Sequence, residues 1–207
     1  MQQIIIHPTY FPSISHFVAL MQATEVVFEV EDNFQKQTNR NRMYIYSPNG
    51  LQLLNIPVKH ATETKQKYKD VRIENDFQWQ KNHIKSLEAA YRTSPFFEYF
   101  EDDIRPLFEK KKEFLMDFNF EIMAFLQDAF GTNFKTSKTV EYLKEQPEII
   151  TDLRSLVAGK KDQNTFEPYT QVFGQKHGFL NNLSILDLLF NEGRYGLDYL
   201  REQPLKF

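Results

Sequence analysis

QQIIIHPTYFPSISHFVALMQATEVVFEVEDNFQKQTNRNR, residues 2–42, is the stretch whose reading decides the fold. Ile4-Ile5-Ile6 is an uninterrupted β-branched block, the composition of a strand buried on both faces of a sheet. His7-Pro8-Thr9-Tyr10-Phe11-Pro12 ends it, because each proline lacks an N–H and biases the residue before it toward extended geometry. A helix follows, with Ser13 or Ser15 as its expected cap and Ile14, Phe17, Val18 and Met21 on one face. Val26–Val30 is the next strand. Strand, helix and strand within about 30 residues make a βαβ unit with parallel strands and a right-handed crossover.

Open α/β sheets bind ligands beyond the carboxyl ends of their strands. His7, Tyr10 and His16 are therefore expected beyond the first strand, and Glu29, Glu31, Lys36, Arg40 and Arg42 beyond the second, with the two polar loops sharing a rim. Lys36, Arg40 and Arg42, interleaved with Gln35, Gln37, Asn39 and Asn41, form a dense patch of donors. Guanidinium forks suit a phosphate, a carboxylate or a nucleotide-sugar diphosphate; a solvated basic loop is the plain alternative. His7 and His16 flank the first loop and are the candidate general acids or bases, although a lone histidine also serves structure.

Outward from this stretch, Met43–Tyr46 and Leu51–Val58 flank Ser47-Pro48-Asn49-Gly50, where Asn-Gly predicts a type I′ hairpin turn. Residues 59–70 are polar, with Lys65, Lys67 and Lys69, and read as a solvated loop; Val71-Arg72-Ile73 reads as a short strand. Trp79, His83, Leu87 and Tyr91 recur at one helical turn. Trp79 and His83 there could present a stacking ring beside a polar group, with core packing as the alternative. Phe96–Phe108 is aromatic and acidic, and Pro106 is expected near a helix start. Lys110-Lys111-Lys112, read as the solvated face of a helix, leads into the stripe Phe114, Leu115, Phe118, Ile122, Phe125, Leu126 and Phe130, with Gly131 at the C-cap position. Residues 136–143 are a strand or a turn, and 148–157 a short helix. Ser184 and Asp187 have capping-box spacing at the start of the last apolar helix.

Composition bounds the chemistry. The chain has 207 residues, 41% hydrophobic and 26% charged, consistent with a single globular domain over 1–207. A net charge of -3 offers no basic field for nucleic acid, so an anion site has to be local. There is no cysteine, which excludes disulfides, thiolate metal ligands and thiol nucleophiles. No His-x-x-x-His or carboxylate pair has metal-ligand spacing, and neither a Gly-x-Gly-x-x-Gly nor a phosphate-binding Gly-Lys-Ser/Thr loop occurs. A Ser184–Asp187–His177 triad is disfavoured, since no Gly-x-Ser-x-Gly elbow is present. With no signal peptide and no membrane-length apolar run, the expected location is the cytoplasm.

Pro8-Thr9-Tyr10-Phe11-Pro12, the run Phe34–Arg42 and Ile56-Pro57-Val58 resemble the N-terminal signature of the WbqC-like family. So do Trp79-Gln80-Lys81-Asn82-His83, Ala90-Tyr91 with Ser94-Pro95-Phe96-Phe97, and Leu183–Asn191. Phe97–Asp103 resembles the versions found in Bacteroidetes. Where the family commonly opens with His-Gln-Pro, this chain reads Ile6-His7-Pro8, its histidine one position later. The resemblance implies a place in O-antigen-type surface-polysaccharide biosynthesis and a transferase moving an aminoacyl or acyl group onto an amino sugar. It supplies no catalytic residues and no cofactor. Separately, Pro12-Ser13-Ile14-Ser15-His16 is similar to the His-x-Gly-His loop of nucleotidylyltransferases, of which the final His alone is kept.

The expected fold is thus α/β, an N-terminal βαβ unit in a small mixed sheet with a β-hairpin, followed by a mainly helical C-terminal half. The expected site has His7 or His16 as base and Tyr10, Lys36, Arg40, Arg42, Trp79 and His83 as substrate contacts. No metal is called for, the cofactor is unknown, and the expected partner is a small anionic donor such as a nucleotide sugar. The competing reading is a non-catalytic adaptor that docks through Phe96–Asp103, in which the Arg loop is tied up in internal ion pairs with Glu29, Glu31 or Asp32 and no cavity adjoins it.

Overall fold

The computed structural model describes residues 3–59 and 65–206. Gln3–Ile6 (β1), Ile14–Gln22 (α1) and Glu25–Phe28 (β2) form the βαβ unit, with β1 and β2 parallel in the register Gln3↔Glu25 to Ile6↔Phe28. Arg42–Ser47 (β3) and Gly50–Asn55 (β4) pair as an antiparallel hairpin. Of its turn residues only Gly50 has positive φ, 94°, so the turn is not the type I′ that Asn49-Gly50 predicted. Helices Trp79–Tyr91 (α2), Phe97–Glu109 (α3) and Leu115–Phe130 (α4) follow. Two short strands, Thr136–Lys138 (β5) and Ile150–Asp152 (β6), precede Gly174–His177 (α5), Ile185–Glu192 (α6) and Gly196–Glu202 (α7).

Parallel and antiparallel strands are both present, divided between the hairpin and a four-stranded parallel sheet of order β5-β2-β1-β6. The chain steps outward from β1 through β2 to β5, then returns to lay β6 on the far side of β1. Such a reversal leaves a crevice beyond the carboxyl ends of the strands. Ile4, Ile5 and Ile6 are all buried, as a central strand covered on both faces requires.

One cluster of buried side chains joins β1 and β2 to Phe17 and Leu20 of α1, Phe118, Ile122, Leu126 and Phe130 of α4, and Leu186, Leu188, Leu189 and Phe190 of α6. Trp79, His83, Leu87 and Tyr91 form the buried face of α2, as their spacing predicts. Gly131 ends α4 in the left-handed region at φ 69°, its N–H bonded to the closing carbonyls.

Several local expectations are corrected. Val71-Arg72-Ile73 makes only isolated bridges, Ile73 to Val58 and Arg72 to Phe114. The helix expected over 148–157 is the edge strand β6 followed by a 3-10 turn, Arg154–Val157. Pro106 lies inside α3 rather than at its start, and the neighbouring Asp102 is exposed, so the carbonyl left without an N–H can meet water. Ser13 stands at the N-cap of α1 but makes no side-chain cap bond; its hydroxyl pairs instead with that of Ser15. Ser184 does cap α6, accepting from Leu186 N–H, while Asp187 turns its carboxylate away to Tyr91, Tyr169 and Gln171. Residues 60–64 of the expected polar loop lie outside the described residues. The loop's end is not solvated, because Tyr68 is buried and donates to Pro8 O at 2.9 Å.

Candidate functional site

Each parallel strand delivers a polar residue to the same edge of the sheet. His7 follows β1, Glu29 follows β2, Thr139 follows β5, and Asp152 and Arg154 stand at the end of β6. Beyond that edge opens a cleft of about 380 Å³ lined by His7, Asp32, Arg40, Tyr142, Asp152 and Arg154, among others. The second polar loop reaches it because Asn39 is bonded in both directions. Its N–H donates to Val157 O at 2.8 Å and its carbonyl accepts from Tyr10 N–H at 2.9 Å. The His7 loop, the Arg40 loop and the turn after β6 are thereby stitched together. Gly159 is part of the fit, since a Cβ there would stand 2.6 Å from the Asn39 side chain.

At the centre three groups form a triangle. His7 Nε2 is 2.9 Å from Asp32 Oδ2 and 2.8 Å from Arg40 Nη2, and Arg40 Nη2 donates to Asp32 Oδ2 at 2.7 Å. One ring nitrogen can donate to the carboxylate or accept from the guanidinium, but not both at once. In the tautomer that donates from Nε2 to Asp32, the lone pair is on Nδ1, which is buried and has no partner. Burial lowers the His7 pKa, and the Arg40 charge adds to that, against the opposing pull of Asp32. The imidazole is therefore neutral at neutral pH. Burial works against the Asp32 carboxylate too, yet the His7 hydrogen bond, the Arg40 charge and the Asn33 N–H outweigh it and hold its pKa below the ordinary range. Arg40 is 0% exposed, and burial pulls its pKa down, but a guanidinium starts high enough to stay charged.

Arg154 forms the other wall. It donates to Asp152 Oδ2 at 2.5 Å, to Glu29 Oε2 at 3.3 Å and to the carbonyls of Leu143 and Lys144 at 2.7 and 3.0 Å. It so fixes the 143–144 segment over the cleft and neutralises the fully buried Glu29. No local signal marks Arg154 in the sequence, since the strand and turn at 150–157 read as one short helix. Asp32 follows the strand with Glu29 and Glu31, and that run of acids was the available hint.

The other expected site residues are dispersed. Tyr10, Trp79 and His83 meet in the core: Tyr10 Oη is 2.7 Å from His83 Nδ1, and the Trp79 ring sits edge-on to His83 at 5.3 Å. None of the three is among the residues that line the cleft. Burial lowers the His83 pKa to about 4. His16 lies buried within α1; burial first, and the nearby His7 second, lower its pKa to about 3. Arg42 starts β3 and donates to Asn55 at 3.3 Å, whereas Lys36 is exposed beside the cleft-lining Gln35. Among the described residues no three His, Asp or Glu side chains are grouped to hold a metal ion, and no helix is long and apolar enough to cross a membrane.

No solved structure matches the chain. It is 25% identical to "Uncharacterized protein Rv1507c" of Mycobacterium tuberculosis (strain ATCC 25618 / H37Rv) over 95% of this chain and 96% of that protein. The WbqC-like protein family matches residues 7–163, a span that begins on His7 and takes in Asp32, Arg40, Asp152 and Arg154, while Leu183–Asn191 lies beyond it. With the whole lining of the cleft inside a match of that extent, the chain belongs to the WbqC-like protein family.

Proposed function

We propose that the protein is a transferase of O-antigen-type surface-polysaccharide biosynthesis that moves an acyl or aminoacyl group onto an amino sugar in the cleft above the parallel sheet. The observation that carries the reading is the His7–Asp32–Arg40 triangle, a neutral imidazole oriented by a charged pair at the head of a crevice. His7 takes the proton of the acceptor amine or hydroxyl as that group attacks the donor carbonyl, and the donor's leaving group departs with its electron pair. Asp32 fixes the ring and stabilises the imidazolium that forms. Arg40 keeps Asp32 ionised rather than holding the donor, since its charge is already committed. The cleft walls carry Arg40 and Arg154 against Asp32 and Asp152, which suits a polar acceptor more than a dense anion. The anionic part of the donor, such as the diphosphate of a nucleotide sugar, lies toward the open side, where Lys36 is exposed and forms no ion pair among the described residues.

The adaptor reading has less to rest on. Phe97 and Phe100 are core residues and Phe96 packs against that core, which leaves Tyr99, 66% exposed, as the ring of that segment most free to dock. A thermal-shift screen of nucleotide sugars and of acyl and aminoacyl donors tests the proposal, because a ligand of the folded state raises its stability. A donor is expected to raise the melting temperature of the wild type and of His7→Gln alike, with transfer to amino sugars lost about a hundredfold or more in the variant. Absence of any stabilising donor, or full transfer by His7→Gln, would overturn it.

A further inference from the structure

We propose that a second, cationic pocket at the junction of α3 and α4 binds a phosphoryl group, independently of the cleft. The lysine triplet of the sequence does not lie on a solvated helix face. Lys110 ends α3, and Lys111 and Lys112 fall in the link to α4. There Lys111 and Lys112 join Lys59, Arg72, Ile73, Asn75 and Glu113 around a cavity of about 190 Å³.

Four cations and one carboxylate line this cavity in a chain whose net charge is -3. Arg72 pairs with Glu113 at 3.0 Å and Lys112 with Glu121, which leaves Lys59 and Lys111 without an ion pair among the described residues. Holding these charges together is unfavourable until an anion enters. The pocket is framed by backbone bonds rather than by loose side chains: Lys59 N–H to Arg72 O, Ile73 N–H to Glu113 O and Glu74 N–H to Pro57 O, each at 2.9 Å.

Asn75 closes the frame and adds the second feature. Its Nδ2 donates to Lys112 O at 2.8 Å and also meets Ile73 O, so the amide cannot be turned around. Its Oδ1 is then buried without a partner, which in native proteins calls for an explanation. Lys59 and Lys111, with Arg72 and Lys112 beside them, complement a compact group that carries several anionic oxygens, as a phosphoryl group does.

The test is calorimetric titration of the full chain with inorganic phosphate and with pyrophosphate at ionic strength held constant with chloride. A parallel arm measures co-flotation with phosphatidylcholine vesicles with and without phosphatidic acid, which separates a soluble phosphate from a lipid headgroup. Lys59 and Lys111 are exposed, so Lys59→Gln/Lys111→Gln should fold with an unchanged melting temperature in phosphate-free buffer. Binding in at least one arm is expected, weakened about tenfold or more in that double variant, as the loss of charge-assisted hydrogen bonds implies. His7→Gln should bind as the wild type does, which keeps this result separate from the fate of the cleft. Absence of binding in both arms, or equal binding by the double variant, would sink the proposal.

Discussion

Two buried carboxylates, one beside the cleft and one in the C-terminal core, meet opposite fates. Asp32 shares its oxygens with His7 and Arg40 and is held below the ordinary carboxylate range. Asp187 accepts from Tyr91 Oη at 2.9 Å, Tyr169 Oη at 2.6 Å and Gln171 Nε2 at 2.9 Å, and its pKa is nevertheless pushed up to about 6. Burial opposes the charged form at both. Three neutral donors do not offset it at the fully enclosed Asp187, whereas at Asp32, whose side chain keeps 11% of its surface, the His7 hydrogen bond and the Arg40 charge do. The region at the sheet's edge is therefore organised around fixed charge, and the region around α6 around a polar joint that ties α2 and the 169–171 segment to that helix without a counter-ion. Fixed charge at the edge is what a positioned imidazole requires.

Removing the cation should erase the difference, and this is the largest effect expected. Arg40→Met keeps much of the side-chain volume but leaves Asp32 buried with no positive partner, a change that destabilises by about 3–5 kcal/mol. Arg42→Met, two residues away and with its side chain bonded, among the described residues, to Asn55 alone, should stay within about 0.5 kcal/mol of the wild type. Urea denaturation measures both. If the two variants unfolded at the same midpoint, the charge at Asp32 would not be what separates the regions.

The next effect is in pH. A carboxylate whose folded pKa stands above its unfolded value binds more protons when folded, so its contribution to stability falls as pH rises from about 4 through about 6. For Asp187 the shift from 3.8 to about 6 corresponds to about 3 kcal/mol. His16 and His83, with folded pKa values of about 3 and about 4, act in the opposite sense. Each is neutral when folded while the unfolded chain takes up a proton below about 6.5, so stability is lost as pH falls through that window. The Asp187 contribution therefore has to be read as a difference. The stability of wild type minus that of Asp187→Asn should decline from pH 4 to 6 and be flat above 7. A flat difference throughout would mean that the neutral donors suffice after all.

How far the sequence discloses these regions depends on whether their signals are local. The βαβ unit is legible because Ile4–Ile6 and the apolar face of α1 are contiguous or periodic. β5 is half legible, a strand or a turn within 136–143, and β6 is not legible: Thr136-Ser137-Lys138 and Ile150-Thr151-Asp152 are short and partly or wholly exposed, and they become strands only through pairing with β2 and β1. Arg154, carried by the turn after β6, is hidden for the same reason. The basic loop was legible as a patch but not residue by residue. With Gln37 at φ 64° the chain turns sharply, so Arg40 enters the core while Lys36 faces solvent. Asp187 was masked by its capping-box spacing, since its tyrosine partners lie 96 and 18 residues away.

The smallest effect separates how tightly the two regions are packed. Gly159 abuts the buried side chain of Asn39, whose backbone is bonded at both N–H and C=O; a Cβ would meet the side-chain amide at 2.6 Å, so that the amide has to turn aside within the packed loop. Gly159→Ala should cost about 2 kcal/mol by overpacking and should loosen the stitch that brings Arg40 to His7. Gly174, in the C-terminal region, has nothing within 4 Å of the same added atom and does not have positive φ, so Gly174→Ala should be neutral or slightly stabilising. Because the clash at Gly159 is with a side chain, Asn39→Ala should relieve it. The double variant Asn39→Ala/Gly159→Ala should then be more stable than Gly159→Ala alone, a coupling that a double-mutant cycle in urea reads directly. If the two changes merely added, the strain would lie in the backbone of the turn after β6, and Asn39 would not be the residue that sets the distance between the loops.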